Sequence, residues 1–393
     1  NTSAVVFDAI LNRAPLDPIR LNPSLPPGLE PILSKMLEKN ARSRYDSGAR
    51  LKADLQQLKR DSDSSRTAAV AAPAPAERSL AVLYFENLSG AKEDEYFRDG
   101  MTEDVITELS KIKNLKVFPR PAMLAYRDKP VTAPQVGHEL NALYVLGGSL
   151  RRSGNRLRIT AQLVETATGH TMWAQRFDRE MADVFEVQDE IARSIAQAFR
   201  INLTPQEQKQ IAQKPTENSL AYDYFLRGRS YARRESLDFA LQMYEQAIKL
   251  DPNFALAHAG IAHICAFFFE LRDQNAKWIE RGEAACNKAL ELNPQLPEAL
   301  VARARIHYSQ HRYEEAIELA QRAIARKPDC DGVYNVLGRS YFASGKFQEA
   351  ADLIEKAIEA NGDDYNVFVP YINSLERLGM HAAIKRYRER EML

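Results

Sequence analysis

Cysteine is scarce in this chain of 393 residues: Cys265, Cys286 and Cys330 are its only three, and no two form a CxxC pair. An odd, scattered count is a poor disulfide framework and matches no zinc or redox motif, so three small buried thiols in a reducing compartment are expected. Net charge is absent as well. Fifty-three basic residues balance 53 acidic ones, which argues against bulk electrostatic attachment to DNA or RNA. No apolar run approaches the roughly 18 residues of a membrane-spanning helix; the greasiest stretch, ICAFFF at 264–269, is a turn or two long. No membrane span is therefore expected. No secretory signal is visible, and the cytoplasm is the expected location. The first residue is Asn rather than Met, so the chain reads as the later part of a longer polypeptide.

Catalytic signatures are missing too. Gly147–Gly148 has neither the spacing nor the following helix of a phosphate cradle, and reads as a bulge or close backbone contact in a strand. Glu93–Asp94–Glu95 lacks the spaced ligands of a calcium loop, and negative charge at a helix start accounts for it. His138 and His170 have no triad or zinc-motif neighbours. Neither catalytic residues, nor metal ligands, nor a cofactor is expected in this chain.

What is present falls into three segments and a tether, a multi-domain organisation. Residues 61–78, DSDSSRTAAVAAPAPAER, have no periodic apolar face and read as an extended linker. Before it, residues 1–60 carry three helical patterns: SAVVFDAILNR, PGLEPILSKMLEK and SGARLKADLQQLKR. After it, residues 79–203 alternate strands and helices as an α+β domain. A strand is expected over 80–85, and a helix over 93–112 that Gly100 splits. RLRITAQLVE turns Leu157, Ile159, Ala161 and Leu163 inward, and a closing helix carries Phe185, Ile191, Ile195, Ala198 and Phe199. Residues 216–393 are helical and repeat with a 34-residue period, the tetratricopeptide (TPR) spacing. The units run 221–254, 255–296 with an eight-residue insertion near FFFELRDQNAKW, 297–330, 331–364 and 365–393, the last partial. Small residues such as Gly228 and Ala240 let paired helices approach, and Pro252 and Pro328 end second helices.

Three resemblances follow from these residues. LPPGLEPILSKMLEKNARSRYDSGARLKADLQQL resembles the last helices of the C-lobe of a bacterial Ser/Thr protein kinase, with Asn40 and Ala41 where the family usually has Asp and Pro. It implies that Arg44 is the lobe's buried arginine, whose partner is an acidic residue closing the activation segment. No such residue precedes it. Nor do residues 1–60 hold an ATP-contacting Lys, an HRD loop or a DFG metal-binding Asp, so this all-α remnant cannot transfer phosphate. ATP and Mg would belong only to a kinase domain upstream.

The stretches AVLYFENLSG…EYFRDGMTEDVITELSKI and YVLGGSLRRSGNRLRITAQLVETATGHTMWAQRFDRE resemble the TolB-amino-terminal-like domain of bacterial signalling proteins. That resemblance implies an interaction or sensory role. The TPR resemblance implies an all-α solenoid whose first helices line a concave groove. Carried onto this sequence, the groove positions are Tyr222, Phe225, Arg229 and Arg233, then Arg305 and Tyr308, then Asn335, Arg339 and Phe342, and finally Asn373 and Arg377. Arginines interleaved with aromatics and asparagines suit an acidic peptide or a C-terminal carboxylate of a protein partner. Three readings stay open: a non-catalytic interaction region of a signalling protein, a Ser/Thr kinase whose catalytic residues lie upstream, or the tail of a transcriptional regulator. The sequence leaves the oligomeric state undetermined.

Overall fold

The computed structural model describes residues 29–38, 44–45, 47–48, 50–52, 54–55, 78–89, 94–353 and 375–379. The helix expected at SAVVFDAILNR, most of the linker, groove residue Asn373 and the basic last helix lie outside the described residues. The chain divides into two compact units, residues 1–76 and 77–393.

In the first unit, helix α1 (Leu29–Met36) buries Ile32, while Met36 and Leu37 stay exposed. Lys35 lies over the Tyr45 ring, whose hydroxyl donates to Asp54 at 2.7 Å. Arg44, which the resemblance implied to be a buried lobe arginine, is instead exposed and donates from Nε to the Glu38 carbonyl at 2.7 Å.

The second unit opens with β1 (Ser79–Val82), buried along its whole length, and β2 (Glu86–Asn87). The single strand expected over 80–85 is broken because the Phe85 N–H turns to Thr102 Oγ1 at 3.2 Å and its ring enters the core. Thr102 lies on α2 (Glu95–Ser110), which is continuous through Gly100 rather than split there. Then come β3 (Lys116–Val117), α3 (Arg120–Leu124), α4 (Ala133–Leu140), β4 (Tyr144–Ser153), β5 (Arg156–Glu165), β6 (Thr171–Glu180) and α5 (Val184–Ala198). The sheet runs β3-β1-β4-β5-β6, with β2 paired to β4. β1 is parallel to both β3 and β4, whereas β4, β5 and β6 form an antiparallel meander. Along β5 burial alternates residue by residue, with Leu157, Ile159, Ala161 and Leu163 inward. Gly148 is required by close approach: a Cβ there would lie 2.0 Å from the Thr160 carbonyl oxygen.

Helix α6 (Pro205–Ile211) extends this domain past residue 203. Thr204 and Glu207 form a capping box at its start, and Glu207 also accepts the Lys113 backbone N–H at 3.0 Å. Lys111 Nζ donates to the Gln210 carbonyl at 2.8 Å from the other side.

The repeats follow as antiparallel pairs: α7 (Ser219–Arg233) with α8 (Leu237–Leu250), α9 (Ala255–Phe268) with α10 (Ala276–Leu292), and α11 (Pro297–Ser309) with α12 (Tyr313–Ile324). Helix α13 (Val333–Ala343) begins the fourth pair. Tyr244 of α8 is wedged between Gly228 and Gly260, where added Cβ atoms would come within 2.6 and 2.8 Å of its ring. The small residues of the repeat signature are thus sites of helix contact.

The insertion has a definite form. Helix α9 runs on as a π-helical turn over 269–273, Gln274 adopts a left-handed φ of 47°, and Asn275 caps α10 by accepting the Lys277 N–H at 3.0 Å. Among the described residues, Ala255–Asp273 is the one helix long and apolar enough to cross a bilayer, with a mean hydropathy of 1.2. Ala257, Ile261, Ile264, Cys265 and Phe268 of this helix lie in the protein's own core.

One continuous hydrophobic cluster runs from Leu80 on β1 through α2 and α5 into Tyr222, Phe225 and Leu226 of α7, and on to Phe268. The α/β domain and the first repeats therefore share a core.

Candidate functional site: the groove positions and the domain docked on them

The groove positions of the first repeat meet α2. Gly100 makes this possible, because a Cβ there would stand 2.6 Å from Leu226 Cδ2 and 3.0 Å from Arg229 Nη2. Tyr222 is fully buried; its ring packs edge-on to Phe185 with centroids 4.6 Å apart. Its hydroxyl donates to Asp104 and accepts from Gln188 Nε2 at 3.0 Å. Burial, reinforced by the Asp104 charge, pushes its pKa well above the ordinary value, so the hydroxyl stays neutral. Phe225 is buried against Tyr244 and Phe254.

The arginines of this repeat face acids of the domain. Arg233 Nη1 forks onto both oxygens of Glu103 at 2.7 and 2.8 Å, and its Nη2 reaches Asp331 at 2.9 Å. Arg229 Nη1 donates to Asp104 at 3.2 Å. Asp331, from the turn before α13, also accepts from Arg120 of α3 at 3.1 Å, so one carboxylate joins the domain to both the first and the fourth repeats. Burial works against a charged Glu103, but Arg233, Arg229 and Arg120 outweigh it and hold its pKa below the ordinary value. Beside this cluster, Asp223 of α7 accepts from Tyr96 of α2 at 2.7 Å and from Arg152 of β4 at 2.6 Å.

The predicted residues of the third and fourth repeats meet a different acid. Glu270, carried in by the π-turn of the insertion, accepts from Arg305 at 3.4 Å, from Arg339 at 2.8 Å and from Ser309 at 3.1 Å. Arg305 is buried, lies over the Phe267 ring at 4.2 Å and donates to Asn335 Oδ1 at 3.0 Å. Arg339 stacks over Tyr308 at 4.5 Å and keeps a third of its side chain exposed. Phe342 is half-buried against Phe347, and Arg377 is exposed.

The structure thus brings Tyr222, Phe225, Arg229 and Arg233 together as the seat of the α/β domain. It gathers Arg305, Tyr308, Asn335 and Arg339 around Glu270. The sequence reasoning missed the acids Glu103, Asp104, Glu270 and Asp331. Their one signal was position: Glu270 lies inside the insertion, and Glu103 and Asp104 lie one turn after a mid-helix glycine. Among the described residues no group of three or more His, Cys, Asp or Glu side chains is placed to hold a metal.

Residues 279–331 and 301–366 match a family described as tetratricopeptide repeat, and residues 224–254 match a second tetratricopeptide family. Residues 76–194 match a family described as the second domain of HilA/YgeH-like transcriptional regulators. A Rhizobium meliloti (strain 1021) protein described as "Putative adenylate cyclase 3" is 41% identical over 194 residues, covering 48% of this chain and 33% of its own length. The chain therefore spans about a third of that relative. Among solved structures, Pseudomonas aeruginosa pilF is 22% identical over 43% of this chain and 74% of its own, with a TM-score of 0.36. A thermophilic TPR protein of Thermus thermophilus is 16% identical over 50% and 95%, with a TM-score of 0.34. The helical part of the chain carries tetratricopeptide repeats, joined to a mixed-sheet domain.

Proposed function

We propose that the chain is a non-catalytic interaction and regulatory region of a bacterial signalling protein. Tetratricopeptide repeats bind other proteins, and in this reading the array captures partner segments on the part of its concave face beyond the docked domain. Tyr308, Asn335, Arg339 and Phe342 belong to that part, with Asn373 and Arg377 further along the sequence. The observation that carries the reading is the shared core. A domain fixed to the array through Tyr222, Phe225 and the Glu103–Arg233 fork is held in one orientation relative to any bound partner. Such coupling suits transmission between a binding surface and an output domain. The test is capture of protein partners by the chain, with Arg339→Glu plus Arg377→Glu as the variant. Capture should fall several-fold; unchanged capture would remove this surface from consideration.

A second reading concerns the output domain of the whole protein. The likeness of residues 1–60 to the end of a kinase C-lobe favours a Ser/Thr kinase, whereas the adenylate cyclase relative favours a different output beside a related region. The regulator reading draws on the match over residues 76–194. Phosphate transfer from ATP with Mg by the complete gene product, but not by these 393 residues, is the expected result of the kinase reading. We propose a cytoplasmic location, a reading that three free, buried cysteines are compatible with. Recovery in salt-washed membranes would argue otherwise.

A further inference from the structure

Between α2, α3 and α7, at the seam of the α/β domain and the first repeat, lies a cavity of about 170 Å³. Five arginines line it: Arg120 and Arg127 from the domain, and Arg229, Arg233 and Arg234 from the repeat. Asp99 and Glu103 line it as well, but their oxygens are already engaged. Glu103 presents both oxygens to Arg233, and Asp99 accepts from Arg98 at 2.8 Å and from Arg127 at 3.0 and 3.2 Å.

Two guanidiniums are left with donors to spare. Arg229 Nη2 is buried with no hydrogen-bond partner; the Glu103 carboxylate is 3.7 Å from it. A buried donor without an acceptor costs about 1–3 kcal/mol, and folded proteins rarely tolerate one without reason. Arg234 lines the same cavity from an exposed position and has no side-chain partner among the described residues. Both spare donors come from the first repeat, and Arg120 and Arg127 of the α/β domain line the same polar space from the other side. Its volume is below the roughly 300–1,000 Å³ of sites for drug-sized ligands, which favours a small ion. Several guanidinium forks arranged around a small volume match an ion with three or four equivalent oxygens.

We propose that this cavity is a binding site for a small phosphate oxyanion, free phosphate or a short phosphate monoester, which accepts from Arg229 Nη2 and Arg234 of the first repeat and lies beside the positive charges of Arg120 and Arg127 of the domain. An ion that binds the folded chain and not the unfolded one raises its melting temperature in proportion to the logarithm of its concentration. Occupancy would stiffen the seam on which the α/β domain sits.

The test is thermal unfolding of the 393-residue chain, titrated with inorganic phosphate and separately with glycerol 3-phosphate, at ionic strength held constant with chloride. A rise in Tm that grows with the logarithm of ion concentration above an apparent Kd is expected with at least one of them, and the ion with the lower apparent Kd identifies the source. Arg234→Gln removes a donor that supports no other contact, and should weaken the response about tenfold, as loss of one charged hydrogen bond does. Arg127→Gln removes a lining charge whose donors are already engaged by Asp99, and should weaken the response less than Arg234→Gln does. Arg193→Gln, on α5 where Arg193 pairs with Asp189, makes the same charge change elsewhere and should respond as the parent does. A Tm insensitive to both ions overturns the site. So does a response that Arg234→Gln and Arg193→Gln share equally with the parent.

Discussion

The groove positions at the two ends of the repeat array handle the same problem differently. At the first repeat, Tyr222 and Phe225 are buried and the arginines answer to acids from another domain, so charge and apolar surface are enclosed together. At the third and fourth repeats, Arg305 and Arg339 answer to Glu270 from the array itself, and Arg339 and Tyr308 remain partly open. The first end is a domain interface with the character of a core. The second is a self-neutralised surface that another carboxylate can compete for. Positions equivalent in the repeat register have become unequal because of what packs on them.

The sharpest way to break this comparison is Tyr222→Ala. If the first end is a core, removing a fully buried ring and its bonds to Asp104 and Gln188 costs about 3–5 kcal/mol. Urea unfolding of the chain measures it, and a loss below about 1 kcal/mol would mean that the domain is not seated on α7. Next comes Glu270→Ala, which leaves the buried Arg305 guanidinium with Asn335 as its main acceptor. The expected loss is about 2–3 kcal/mol, smaller because Arg339 can turn to solvent.

How much of this was legible follows from the kind of residue involved. The repeat period was legible because small residues at fixed spacing are dictated by helix contact, as Gly228 and Gly260 beside Tyr244 illustrate. The alternation of β5 was legible because one face of that strand is covered and the other is not. The docking was not. Glu103 and Asp104 look like ordinary solvated helix acids, and nothing local distinguishes an acid that meets solvent from one that meets Arg233 across 130 residues. Gly100 was the available clue. A glycine inside a helix costs about 1 kcal/mol against alanine, and its presence marks a close approach more often than a break. Much of the kinase-like segment lies outside the described residues, and Arg44 makes only a surface contact with the Glu38 carbonyl.

Acid should act on the second end. His263 lies near Arg305 and Gly332, and burial, with the Arg305 charge adding to it, lowers its pKa from 6.5 to about 3. The folded state therefore favours the neutral ring. The resulting stability is present above pH 6.5 and is lost as pH falls through the window from about 6.5 to 3. Near pH 5 the loss amounts to about 2 kcal/mol. Denaturation midpoints of the chain and of His263→Gln should differ in slope across that window, the variant being flatter. Parallel curves would mean that His263 is open to water in solution.

The smallest effect expected is the most informative about partners. Arg339 keeps a third of its side chain exposed, so its bond to Glu270 is screened and Arg339→Ala should cost no more than about 1 kcal/mol. Its stacking over Tyr308 at 4.5 Å adds little at an exposed site. If the open end exists to bind an acidic segment, this substitution should still weaken partner capture by more than it weakens the fold, because a guanidinium already positioned by Tyr308 meets an incoming carboxylate at low entropic cost. A stability loss as large as that of Tyr222→Ala would erase the distinction between the two ends. It would make the whole row of groove positions a core.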